Sequence, residues 1–316
     1  MYFPVAGIEV NPLVPPLVAF AISLFTSMGG VSGAFLLLPF QVSVLGFTSP
    51  AVSSTNQLFN IVAIPSGVYR YIKEGRMLWP LTWIVIIGTL PGVLVGAIVR
   101  IKYLPDPKNF KFFAGLVLLY IGGRLLKDLA FKKQADTPTT EERFQQRHKK
   151  PARATGSEAA SCAHLSCVTV RQWTPTRLVY DFYGETFTVN AVALMALSLV
   201  IGMVGGVYGI GGGAIIAPFL VSFFGLPVYT VAGAALMGTF VTSVAGVAFY
   251  QILAPHYPGM VIAPDWLLGF LFGIGGFAGM YCGARLQKFV PAKLIKWILV
   301  VCLLFTASKY IWAFLF

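Results

Sequence analysis

Apolar residues run along this chain in blocks too long for a soluble core. No charged side chain occurs between Glu9 and Arg70, or between Glu185 and Asp265, uncharged runs of 60 and 79 residues. A helix needs only about 20 apolar residues to cross the hydrocarbon of a bilayer. The pattern predicts an interrupted segment over Pro12–Val44, then helices over Ala51–Tyr71, Leu78–Val99 and Phe110–Leu129. A second set follows: an interrupted segment over Val189–Phe224, then Val228–Ile252, Pro264–Phe289 and Leu294–Phe316. Between the sets the chain turns polar. The stretch EERFQQRHKKPARATGSEAAS reads as helical or disordered, too polar to pack a core. The later CVTVRQW, LVYDFY and ETFTVN alternate β-branched or aromatic with polar residues and predict a small β-hairpin.

The two sets are copies of one another. GAFLLLPFQVSVLG (33–46) matches GAIIAPFLVSFFG (213–225) with one residue of slippage. GVYRY at Gly67 lines up with GVAFY at Gly246, 179 residues on, and GTLPGVLVGA at Gly88 with GGFAGMYCGA at Gly275, 187 on. Lys108 and Lys111 recur as Lys293 and Lys296. Ordered matches at a nearly constant offset mean an internal duplication. The fold class is therefore an all-α polytopic membrane protein. Transmembrane repeat 1 covers 1–130, a basic insert 131–188, and transmembrane repeat 2 covers 189–316.

If each interrupted segment crosses once, the halves are parallel; if each is a re-entrant hairpin, the second half is inverted. Basic loops collect on the cytosolic side of a membrane. With hairpins and an outside N-terminus, Arg70–Arg76, the insert and Arg285–Lys296 all fall inside, and only Arg100–Lys111 breaks the rule. Single crossings force a large basic loop outside. The charge pattern thus favours hairpins and inverted halves.

Composition agrees: 57% of residues are hydrophobic, 11% are charged, and mean hydropathy is +0.78. A soluble domain carries about 25% charged residues. The net charge of +12 sits in loops and at segment ends, nine of the 23 basic residues in the insert. That suits topology and lipid headgroups rather than nucleic acid. Cys162, Cys167, Cys282 and Cys302 make no disulfide framework, and MYFPVAGIEV lacks the basic start of a cleavable signal.

One glycine cluster stands out. GGVYGIGGGAIIAP puts six glycines into Gly205–Gly213. GIGGGA fits a dinucleotide fingerprint, but the preceding strand and the acid about 20 residues on are missing. Gly88, Gly92 and Gly96, like Gly275, Gly279 and Gly283, recur every four residues and read as helix-packing faces. Consecutive glycines face all round an axis, so they break a helix and expose backbone. Such backbone is tolerated at membrane depth only where it is covered by protein or lines a cavity. Gly209, Gly211, Gly212 and Gly213, with their counterparts Gly29, Gly30, Ser32 and Gly33, are read as breaks at a substrate site. Helices restarting at Ala34 and Ala214 would aim free N–H groups at an anion. Thr55, Asn56, Gln57, Asn60, Thr239, Thr242 and Ser243 add polar groups at similar depth, either as ligands or as interhelical staples. Pro65 predicts a kink beyond them. Arg100 and Arg124 read as snorkelling at segment ends. Cys162, His164 and Cys167 are a weak metal set, Cys282 reads as a small packing residue, and no hydrolase, zincin or P-loop motif occurs.

The repeated order of glycine-rich break, proline-terminated run, polar pair and GxxxGxxxGA resembles the sulfite exporter TauE/SafE family. The resemblance covers residues 12–130 and 189–315. GIGGGAIIAP fits the family's first element well, whereas GGVSGAFLLLP has Ser32 in a glycine slot. The family's Thr-Ser pair maps to Thr55–Asn56 and is replaced by Ala234–Ala235 in the second half, so an asymmetric site is expected. The resemblance implies a bacterial inner-membrane exporter of sulfite or an organosulfonate such as sulfoacetate, not an enzyme, with no cofactor and no metal. Its expected partners are a small anion and the bilayer, with a homodimer compatible. An anion channel, a permease for another organic anion and a non-transporting assembly subunit remain alternatives.

Overall fold

The computed structural model describes residues 1–28, 32–73, 75, 77–131, 168–182, 185–286 and 292–315. The chain opens on a two-stranded antiparallel hairpin, β1 (Tyr2–Phe3) and β2 (Ile8–Glu9). Then come α1 (Val14–Met28), α2 (Ala34–Ser43), α3 (Ala51–Lys73), α4 (Trp79–Lys102) and α5 (Pro107–Phe131). Strands β3 (Thr169–Trp173), β4 (Arg177–Phe182) and β5 (Glu185–Asn190) lead into the second set. That set is α6 (Ala191–Tyr208), α7 (Gly213–Phe224), α8 (Val228–Leu253), α9 (Trp266–Leu286) and α10 (Ala292–Leu315).

Among the described residues six helices are long and apolar enough to cross a membrane: α4, α5, α6, α8, α9 and α10. The lipid-directed face of α4 exposes Trp79, Trp83 and Ile87 at four-residue spacing and Val95 eight residues further on. Exposed apolar stripes of this kind would aggregate in water, and they suit a hydrocarbon solvent. Helix α3 has the length of a span but is too polar to qualify as one. Its polar residues Ser53, Ser54, Thr55, Asn56, Gln57 and Asn60 are all buried. It is continuous from Ala51 to Lys73 with Pro65 inside it.

Helix pairing is reciprocal between the halves. Helix α4 packs along α6 while α1 packs along α9; α3 packs on α9 while α4 packs on α8. The four-residue glycine spacings make the two long seams. A Cβ at Gly92 would strike Leu199 and Met203, and one at Gly96 would strike Met203 and Val207. In the mirrored seam Gly275, Gly279 and Gly283 lie against Pro16, Phe20 and Leu24. Only glycine allows backbones this close. Helices α5 and α10 run antiparallel, with Phe112 stacked on Phe314 and Gly122 against Leu303 and Leu304.

The two ends of the bundle differ. At one end Ala6 N donates to Asp265 Oδ2 (3.2 Å), Ala51 N donates to the Val261 carbonyl (3.1 Å), and the end of α4 meets the start of α3. At the other end lies a three-stranded antiparallel sheet, β3–β4–β5, where the alternation predicted a hairpin. Its inward residues Leu178, Tyr180 and Phe182 are fully buried, and the Tyr180 and Thr230 hydroxyls share a hydrogen bond of 3.1 Å. The sheet passes directly into α6, whose first turn is capped by the Asn190 side chain accepting from Val192 N (3.0 Å) and Ala193 N (3.1 Å).

Candidate functional site

Helix breaks lie where the glycine clusters predict them. Helix α1 ends at Met28 and α2 begins at Ala34, N-capped by Gly33. Helix α6 ends at Tyr208, Gly209 (φ 80°) and Gly211 (φ 77°) take left-handed backbone, and α7 begins at Gly213. L side chains avoid that region, so these glycines make the reversal inexpensive. Each short helix folds back on its predecessor: a Cβ at Gly33 would meet Ile22, Ser23 and Thr26, and one at Gly205 would meet Gly211 and Gly212.

Both breaks converge on α3. Asn56 and Asn60, four residues apart, present their carboxamides on one face. The Asn56 Nδ2 donates to the Ala34 carbonyl (3.0 Å) and to the Gly209 carbonyl (3.1 Å), and its Oδ1 accepts from Gln41 Nε2 (3.2 Å). The Asn60 Nδ2 donates to the Ile210 carbonyl (2.9 Å) and Ser243 Oγ (3.4 Å), and its Oδ1 accepts from Ser32 Oγ (2.6 Å). Each asparagine thus ties the α1–α2 break to the α6–α7 break. From α8, Thr242 Oγ1 accepts from Gly212 N (3.1 Å) and donates to Gly238 O (2.7 Å), while Thr239 Oγ1 donates to Ala235 O (2.8 Å). A Cβ at Gly213 would overlap the Ala235 carbonyl, and one at Gly212 would overlap Thr89. The glycine backbone is therefore covered by α8 and α4.

Proline inside a helix frees the carbonyl four residues earlier. Pro39 does so at Phe35, and the Tyr208 hydroxyl at the end of α6 donates to that carbonyl (3.0 Å). One break thereby repairs the other's helix.

The structure brings Ser32, Gly33, Asn56, Asn60, Gly209, Gly211, Gly212, Gly213, Thr239 and Thr242 into one buried cluster. Thr55 faces elsewhere, its Oγ1 accepting from Asp265 N (2.9 Å) at the bundle end. Gly29 and Gly30 lie outside the described residues, as do Cys162, His164 and Cys167. Among the described residues no three His, Cys, Asp or Glu side chains gather as metal ligands.

Sequence reasoning noted Gln57 and Ser243 among the polar groups at this depth but passed over Gln41, Ser53 and Thr89, all buried here. Gln41 carried a signal, being a long amide in an apolar run. The Arg100 expectation is corrected outright. Rather than snorkelling, its side chain is 0% exposed. The α4 C-terminus is roofed by the start of α5, so the guanidinium turns inward over the Phe110 ring (3.8 Å to the centroid). It donates there to Ser53 Oγ (3.4 Å) and the Leu104 carbonyl. Arg124 is half-buried, with its guanidinium 5.1 Å from the Phe223 ring centroid.

A family model described as Sulfite exporter TauE/SafE matches residues 16–310, both sets of helices included. No curated protein and no solved structure matches the chain.

Proposed function

The chain belongs to the sulfite exporter TauE/SafE family, transporters of sulfite or related anions. From that premise we propose that it exports a small sulfur oxyanion or organosulfonate such as sulfoacetate, driven by membrane potential and held between the two helix breaks. The observation that carries this is the double bridge made by Asn56 and Asn60 between Ser32–Ala34 and Gly209–Ile210. In the closed arrangement the two carboxamides and the Ser32 hydroxyl bond to one another or to the breaks, and Thr242 holds Gly212 N. An entering anion takes over these donors together with the N-terminal ends of α2 and α7. Exchanging one hydrogen bond for another nets about 0.5–1.5 kcal/mol, and a helix N-terminus adds about 0.3–2 kcal/mol for an anion. Such modest gains allow both capture and release.

The halves are inverted in this mechanism. Support comes from the hairpins: α1–α2 opens toward the end holding β1–β2, α6–α7 toward the end holding the β3–β5 sheet. Reciprocal pairing of α1 with α9 and α6 with α4 agrees. The sheet end and residues 131–188 face the cytosol of a bacterial inner membrane, which puts Arg70, Arg171, Arg177 and Arg285 on the positive side. An inside-negative potential then drives each exported charge by about 2.3 kcal/mol per 100 mV, without a coupling group. Proteoliposomes loaded with sulfite test this. Expected is saturable efflux that rises with an imposed potential and exchanges with sulfite outside. Flux that ignores potential and requires a proton gradient would reject the driving force, and non-saturable flux without counterflow would favour a channel.

A further inference from the structure

Arg100 is a buried cation with no carboxylate bonded to it among the described residues. Its Nη1 donates to the Leu104 carbonyl, its Nε donates to Ser53 Oγ (3.4 Å), and its Nη2 has no hydrogen-bond partner. Arginine cannot shed its charge, so burial leaves a full positive charge facing low dielectric. The Phe110 ring and a helix C-terminal carbonyl relieve part of that cost but neutralise none of the charge. Buried ionisable groups of membrane proteins mark ion pathways when nothing within the fold pairs them.

Its surroundings continue inward. Tyr250 clusters with Ala97 and Ile101, on either side of Arg100 along α4, and its hydroxyl is buried without a hydrogen-bond partner. Ser53 is also the residue that a Cβ at Gly209 would strike, so the guanidinium stands one side chain from the α6–α7 break. One turn along α3, Gln57 is fully buried with both amide atoms unpartnered, lying against Gly246 of α8. Ser53, Gln57 and Asn60 on α3, set beside Tyr250, Gly246 and Ser243 on α8, form a polar track from Arg100 to the asparagine bridge.

We propose that Arg100, Ser53 and Tyr250 form a second anion site, at the bundle end carrying β1–β2, which receives a small oxyanion passing to or from the breaks. This extends the transport reading. It also accounts for the one basic segment, Arg100–Lys111, that sits at the wrong end for topology. The site is one-ended: at the repeat offsets of 179 and 187, Ser53, Gln57 and Arg100 correspond to Ala232, Leu236 and Gln287. In the exporting orientation this is the exit side.

Thermal unfolding of the purified full chain in detergent, with sulfite titrated against chloride at constant ionic strength, tests the site. Wild type is expected to show a saturable sulfite-dependent rise. Arg100→Gln should weaken the midpoint about tenfold or abolish the rise, Arg100→Lys should recover part of it, and Tyr250→Phe and Ser53→Ala should each weaken it about threefold. The two hydroxyl variants keep the test alive if Arg100→Gln does not fold. A capping role alone predicts a lower melting temperature in chloride with an unchanged sulfite midpoint, and that result overturns the proposal. Absence of any sulfite effect in wild type does the same. Proteoliposome flux separates the two ideas: efflux with Arg100-independent affinity sinks this site and spares the transporter, whereas Arg100-dependent binding without efflux does the reverse.

Discussion

Asn60 is a position where residue type matters in both hydrogen-bonding directions. Its carboxamide is both donor and acceptor, and it uses both, toward Ile210 and Ser243 on one side and Ser32 on the other. Asn60→Ala leaves the Ile210 carbonyl and the Ser32 hydroxyl without this partner in a buried setting. The expected cost is about 1–3 kcal/mol of stability, read as a lower melting temperature. A staple would show that loss alone; a ligand would also raise the sulfite KM for efflux. Asn60→Asp sharpens the contrast, because a carboxylate there repels both the Ile210 carbonyl and an incoming anion, and efflux should fall to background. The asparagines were legible in the sequence as polar residues in an apolar helix. Their partners 150 or more residues away were not.

At the scale of elements, spacing carried most of the information. Glycines every four residues predicted close helix faces, and the seams α4–α6 and α1–α9 use those very positions. Gly92→Leu inserts a side chain where Leu199 and Met203 backbone atoms already stand. Overpacking typically costs about 1–3 kcal/mol, more where backbone must move, so this variant should unfold at markedly lower temperature. Gly279→Leu, in the mirrored seam against Phe20, should behave alike. Val95→Leu is the control, since Val95 is 44% exposed on the lipid face and its replacement should leave melting unchanged. Breaks were equally legible, to within a residue of where α2 and α7 begin. The repair of Pro39 by Tyr208 was not, because it joins two helices far apart in sequence.

Over the whole molecule, the two halves interlock and the β3–β5 sheet is bolted to the helices through Tyr180. Burial pushes the Tyr180 hydroxyl up to about 12, although its hydrogen bond with Thr230 opposes the shift. An acid whose folded pKa is raised contributes stability that is intact below its unfolded value, about 10 for tyrosine. That contribution is lost as pH rises through about 12. Wild-type melting temperature should therefore fall faster between about pH 10 and 12 than that of Tyr180→Phe, which keeps the ring and drops the proton. Equal alkaline slopes would show that the sheet is held by its apolar residues alone.

The sequence by itself determined that the chain lives in a bilayer, that it is a duplication, where its helices break and which glycines let helices touch. These are consequences of hydropathy, offset and periodicity, all of which are local or repeat at fixed distance. Tertiary structure alone decided that both breaks meet on Asn56 and Asn60, that Thr55 turns away to Asp265, and that Arg100 faces inward beside Ser53 and Tyr250. Hydrogen-bond partners separated by 47 to 210 residues leave no periodic trace in a sequence. They exist only once the two halves have packed against each other.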